Sequence, residues 1–152
     1  MHSVIARIGI FIVCICAYSQ SGLAHARSVN QTDGVFDFSD WTTDDGAVYL
    51  NGRWGLYWQQ QVSPQQWQTV QAPWFDMPAT WDKVEAGKEI HSGQGFATFT
   101  AQLINLSRDV RWSLLIPEQS TAFRLFVNDD LVAEGGVAGV SEASSQAYSG
   151  NQ

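Results

Sequence analysis

The sequence predicts an all-β domain, a sandwich or jelly roll, carried behind a cleavable leader. Three observations predict it. Apolar residues recur at every second position in several short segments, and clusters of Gly, Pro, Asn and Asp punctuate those segments. Beyond the leader, no 12-residue stretch sets apolar groups at helical spacing. Seven Trp, eight Phe and four Tyr supply ample core material, while only 15% of residues are charged, against about 25% in ordinary globular domains. Such a composition excludes a disordered chain. Eight Lys+Arg against fifteen Asp+Glu give a net charge of -7, which leaves no basic surface to neutralise phosphates and so excludes nucleic acid as a partner.

The chain begins with the pattern of a secretory signal peptide. Arg7 supplies a positive charge, residues 8–17 (IGIFIVCICA) are unbroken apolar sequence, and Ala24-His25-Ala26 forms an A-x-A site with the cut expected after Ala26. The apolar run stops at Tyr18-Ser19-Gln20, short of the roughly 20 residues a membrane-spanning helix needs. Export to the periplasm, or to the outer face of the inner membrane, follows as the expected location. Cys14 and Cys16 both lie in the leader, so the expected mature chain has no cysteine and relies on its core rather than on disulfides. The expected organisation is a leader over 1–26, a linker over 27–33, one β domain over 34–142 and a flexible or truncated end over 143–152.

Along the mature chain, Val48, Leu50, Gly52, Trp54, Leu56 and Trp58 share one face of a strand, with Asn51 and Arg53 on the other. Residues 96–103 alternate in the same way, as do Val110, Trp112, Leu114 and Ile116, after which Pro117 ends the pattern. Phe123, Leu125 and Val127 alternate with Arg124 and Phe126, and Asn128-Asp129 then reads as the turn of a hairpin that resumes at Leu131. Residues 59–92, rich in Gln, Trp and Pro, read as long loops with a short strand at residues 69–72.

Catalytic chemistry finds little support. His91 is the single histidine of the mature chain and has no G-x-S-x-G elbow to serve. Asp44, Asp45, Asp76, Asp82, Glu118, Asp129 and Asp130 all sit in turn-like contexts where backbone geometry alone favours them. No D-x-D-x-D-G loop is present. The expectation is therefore a protein that is not an enzyme and carries neither a metal nor a cofactor. The tryptophans divide into two groups. Trp54, Trp58 and Trp112 fall on apolar faces and read as core, whereas Trp67, Trp74 and Trp81 sit in the loop-rich segment. An indole face offers an apolar platform for the C–H face of a sugar ring, with nearby amides and charged groups for its hydroxyls. Trp67, Trp74, Trp81, Arg124 and Asn128 are the candidate ligand-binding residues.

Leu50-Asn51-Gly52-Arg53-Trp54-Gly55-Leu56-Tyr57-Trp58 resembles the L-x-G-x-W-x-x-Y-W opening of a galactose-binding-like jelly roll. That domain is the extracytoplasmic N-terminal sensor of bacterial seven-transmembrane receptors with diverse intracellular signalling modules. Met77-Pro78-Ala79-Thr80-Trp81, Gly95-Phe96-Ala97-Thr98-Phe99, residues 120–128 (STAFRLFVN) and Gly135 to Gly139 resemble its later elements in order, over about residues 34–142. Asp129 departs from the Gly usual in the family's turn. The resemblance implies a jelly-roll β-sandwich, incomplete at its C-terminal end, that binds a small molecule, a carbohydrate by the family's character. The membrane helices and the cyclase or kinase output of such receptors are lacking here. Two alternatives are an accessory sugar-binding module of a glycoside hydrolase and a periplasmic interaction module without a small ligand.

Overall fold

The computed structural model describes residues 28–67, 72–79, 95–116 and 121–147 in full, and the backbone alone of residues 4–12, 85–86 and 89–90. Ten strands are described: β1 Val4–Ile12, β2 Asn30–Thr32, β3 Val35–Asp37, β4 Gly52–Trp58, β5 Trp74–Met77, β6 Glu85–Ala86, β7 Glu89–Ile90, β8 Ala97–Leu106, β9 Phe123–Val127 and β10 Asp130–Gly135. Two short 3-10 turns, Thr43–Asp45 and Glu142–Ser144, are the described helical elements. The all-β class is thus observed.

Eight strands form one sheet in the order β10-β9-β1-β8-β3-β2, with β4 joining β8 and β5 joining β4, while β6 and β7 pair only with each other. β8 organises the sheet. One of its edges is lined by β1; the other is shared, with β4 opposite residues 97–100 in antiparallel register and β3 opposite residues 102–104 in parallel register. The sheet therefore branches at the middle of β8. Its inward side chains gather into one cluster that includes Phe36, Phe38, Trp54, Leu56, Phe75, Phe99, Leu103, Leu106 and Leu125, drawn from both branches and from β9. A sheet that twists and curls around this cluster satisfies all of them together. Phe75 and Phe99 meet edge to face at 5.3 Å, and the buried Trp54 donates its indole N–H to the Leu50 carbonyl at 2.9 Å.

Local sequence explains the joints. Asp33 and Gly34 both take positive φ (44° and 76°), the conformation that a two-residue type I′ hairpin demands and that Asp-Gly adopts readily. They join β2 to β3, so the stretch read as a linker contributes a strand. Asn128, at φ 57°, turns β9 into β10 in the hairpin the sequence predicts. Val127 pairs with Asp130 across it, and a register shift falls between Leu131 and Ala133.

The structure departs from the sequence reading in four places. Residues 4–12, read as part of the leader, form β1 between β8 and β9. The short strand expected at 69–72 falls, but for Ala72, outside the described residues, while Trp74–Met77, read as loop, forms β5 between Pro73 and Pro78. Residues 110–116 alternate but join no described strand, and Leu114 and Leu115 are exposed. Here Asn105 takes a positive φ of 60° near the end of β8, and the chain turns away over 107–110. Trp112, expected in the core, instead donates to the Ser107 carbonyl at 3.0 Å and lies 36% exposed against Trp41 and Phe38. Finally, the expected loose end is partly ordered: Val137 bridges to Gln146 around the 3-10 turn.

Candidate functional site

The outward face of β4 and β5 carries an exposed aromatic platform with charges beside it. Alternation along β5 sends Phe75 into the core and leaves Trp74 and Asp76 outside. In the β4–β5 register Arg53 lies opposite Asp76, and Gly55 opposite Trp74. Trp74 remains 46% exposed. One edge of its indole rests on Gly34: a Cβ built there would lie 2.8 Å from Trp74 Cζ3. The β2–β3 turn thus serves two ends, since its glycine permits both the positive φ and the close approach of the ring.

The same turn supplies charge. Arg53 Nη1 donates to Asp33 Oδ1 at 3.1 Å, and its Nε stands 3.9 Å from Asp76 Oδ1. Gln31 Nε2 donates to the Arg53 carbonyl at 2.9 Å. These ion pairs are solvent-exposed, and such pairs contribute at most about 1 kcal/mol. They do fix the guanidinium between two carboxylates next to the indole. The assembly therefore offers an apolar face, cationic donors and anionic acceptors on one open surface, the mixture that vicinal hydroxyls bind well.

The remaining candidates divide. Trp67, Arg124 and Asn128 belong to a different region, where the loop over residues 59–67 meets the β9–β10 hairpin. Trp67 donates its indole N–H to the Val62 carbonyl at 2.9 Å, within its own loop. Arg124 Nη2 donates to Gln61 Oε1 at 3.4 Å, Gln65 Nε2 to Asp129 Oδ1 at 3.3 Å, and Gln61 Nε2 to the Ala138 carbonyl at 3.2 Å. Asn128 shapes the hairpin turn. These contacts bracket the hairpin to the loop and give Trp67 and Arg124 structural work. Trp81, Ala26 and His91 lie outside the described residues. Among the described residues no group of three His, Cys, Asp or Glu is placed to hold a metal ion, and no helix is long and apolar enough to cross a membrane.

Among the described residues two ionisable groups are perturbed, both for structural reasons. Asp37 Oδ1 accepts from Asn105 Nδ2 at 2.8 Å and from the Ser39 backbone N–H at 2.9 Å, and these bonds, the Asn105 one foremost, hold its carboxyl below the usual value. Burial pushes the Tyr57 phenol up, against a smaller opposing effect of its hydrogen bond with Thr100.

Of the Trp74 surface, sequence reasoning found the indole and missed Arg53, Asp33 and Gln31. The available signal was the Arg53 position on the polar side of its strand, which marks it as outward but says nothing of what it meets. Compared with known proteins, the chain matches no family model, no curated protein and no solved structure.

Proposed function

We propose that this chain is the exported ligand-binding head of a bacterial membrane-bound receptor, a galactose-binding-like jelly roll that takes a carbohydrate on the Trp74 surface. The observation that carries the reading is the half-exposed indole of Trp74, seated on Gly34 and flanked by Arg53, Asp33 and Asp76. Stacking on the ring supplies affinity for a sugar's C–H face, and the guanidinium and carboxylates select the pattern of hydroxyls. The five ordered motifs and the leader pattern support the family and the location. In the intact receptor, a ligand that binds one of two states more tightly shifts their populations and so passes the signal to the output domain.

Titrating a panel of mono- and oligosaccharides against tryptophan fluorescence tests the reading. At least one sugar should give a saturable change that Trp74→Ala abolishes and Arg53→Gln weakens, while Trp112→Phe leaves it intact. A folded chain that stays silent across the panel, or a response that survives Trp74→Ala, overturns the proposal.

A further inference from the structure

Residues 110–116 have the pattern of a strand and no strand to pair with. Val110, Trp112, Leu114 and Ile116 alternate with Arg111 and Ser113. The segment joins no described strand, and it leaves Trp112, Leu114 and Leu115 exposed. Large apolar side chains exposed in one run mark a surface that is covered in another state.

The place that fits this segment is the one β1 occupies. β1 runs antiparallel to β8 on one side and to β9 on the other, so β8 and β9 are parallel to each other. Parallel neighbours are ordinarily joined through a crossover, most often a helix. Here the connection over residues 107–122 contains 110–116 and no described helix. A segment that leaves β8 by one turn and enters β9 by another runs antiparallel to both, as β1 does, and strands consecutive in sequence are usually neighbours in a sheet.

The two segments also match position by position. Ala6-Arg7-Ile8-Gly9-Ile10-Phe11-Ile12 and Val110-Arg111-Trp112-Ser113-Leu114-Leu115-Ile116 share one order: apolar, Arg, apolar, small, then three apolar residues. Laid in the register of β1, Val110, Trp112, Leu114 and Ile116 stand opposite Leu103, Ala101, Phe99 and Ala97 on β8, all four of them core residues. On the other side Trp112, Leu114 and Ile116 stand opposite Val127, Leu125 and Phe123 on β9. The largest incoming side chain thus meets the small Ala101. Residues 104–109 and 117–122 are left as connections of six residues each, an ordinary loop length.

We infer that residues 110–116 are the second claimant to the place of β1: once the leader is removed after Ala26, they take it in the same direction and register and join β8 to β9 as a meander. The position is filled in both forms, by residues 4–12 before processing and by the chain's own middle afterwards. The inference rests on the export reading above. The exchange gives up the packing of Trp112 on Trp41 and Phe38 and its bond to the Ser107 carbonyl. In return it buries Trp112 and Leu114 and pairs the main chain of both β8 and β9.

The test compares the processed protein from the periplasm with the full chain kept unprocessed by Ala26→Leu, which spoils the small-residue cleavage site. Amide hydrogen exchange over 110–116 should slow by on the order of 100-fold or more in the processed form, because a mid-sheet strand opens far less often than a loop. A cross-link reports the register. Antiparallel partners place their Cα atoms about 4.5–5.5 Å apart, within reach of a disulfide. Ala101→Cys with Trp112→Cys, in a chain also carrying Cys14→Ser and Cys16→Ser, should therefore oxidise to an internal disulfide in the processed form and stay reduced in the unprocessed one. Equal exchange over 110–116 in the two forms, while β8 and β9 stay protected, overturns the inference, as does a processed, folded chain that forms no cross-link. N-terminal sequencing separates the two readings. A terminus at Met1 in the periplasmic protein overturns the export reading and the exchange with it, whereas a terminus at Arg27 without protection overturns the exchange alone.

Discussion

Gly34→Ala tests the seat of the Trp74 indole directly. Alanine at φ +76° costs about 1–2 kcal/mol from its Cβ in the left-handed region. The new methyl also meets Trp74 Cζ3 at 2.8 Å and Cη2 at 3.4 Å, so the ring must retreat by roughly 0.7 Å to reach ordinary carbon contact. Overpacking of this kind costs about 1–3 kcal/mol, and the lower end applies because the half-exposed ring can swing outward. Gly34→Ala should therefore destabilise by about 2–3 kcal/mol, a fall in Tm of about 2–4 °C for each kcal/mol in a domain of this size. In a Trp74→Ala background the clash is gone and only the backbone term remains, about 1–2 kcal/mol. The four proteins form a double-mutant cycle, read by urea unfolding with far-UV circular dichroism so that losing a fluorophore does not distort the signal. A coupling of about 1 kcal/mol is expected, with the double variant more stable than additivity allows. Additivity to within about 0.5 kcal/mol would show that the indole does not rest on this turn.

Leu125→Ala, at a fully buried position on β9, should cost about 2–5 kcal/mol in the same unfolding assay. A loss below about 1 kcal/mol would mean that the hairpin is not part of the core. Because Asp37 is lowered in the folded chain, its contribution is present above the unfolded carboxylate range and is lost as pH falls through the folded value. Asn105→Ala should accordingly flatten the acid limb of a stability–pH profile, and an unchanged limb would refute the assignment. Tyr57 is raised, so its contribution is full below the unfolded phenol value near 10 and is lost as pH climbs toward the folded value. Tyr57→Phe should remove that alkaline loss, followed by phenolate absorbance against folded fraction.

The hairpin at 123–135 was legible because local signals agree there: alternation on both arms and a turn residue that tolerates positive φ. Residues 110–116 show where alternation fails. A period of two makes a segment fit for a sheet, but a strand also needs a free edge to pair with. The turn after Asn105 carries this segment away from one, and Trp112 finds Trp41 and Phe38 instead. β5 escaped for the opposite reason, since Pro73 and Pro78 mark its ends as loop while the four residues between them pair with β4. The Trp74 surface was half legible. Its indole announces itself, but Asp33, Arg53 and Asp76 come from three separate segments. Only the β2–β3 turn and the β4–β5 register bring them together.

Residues 4–12 meet two physical demands at once. A secretory leader requires an unbroken apolar run of about 7–15 residues, and a strand buried in mid-sheet requires a similar run rich in β-branched residues. The segment VIARIGIFI supplies both, so composition cannot separate the two roles, and the order of events must. Its partners, Ala97–Leu106 and Phe123–Val127, are made long after it, and pairings so distant in sequence form slowly. An export pathway that engages these residues as they emerge would therefore act before either partner strand exists, whereas a chain that keeps them leaves them free to pair with Ala97–Leu106 and Phe123–Val127.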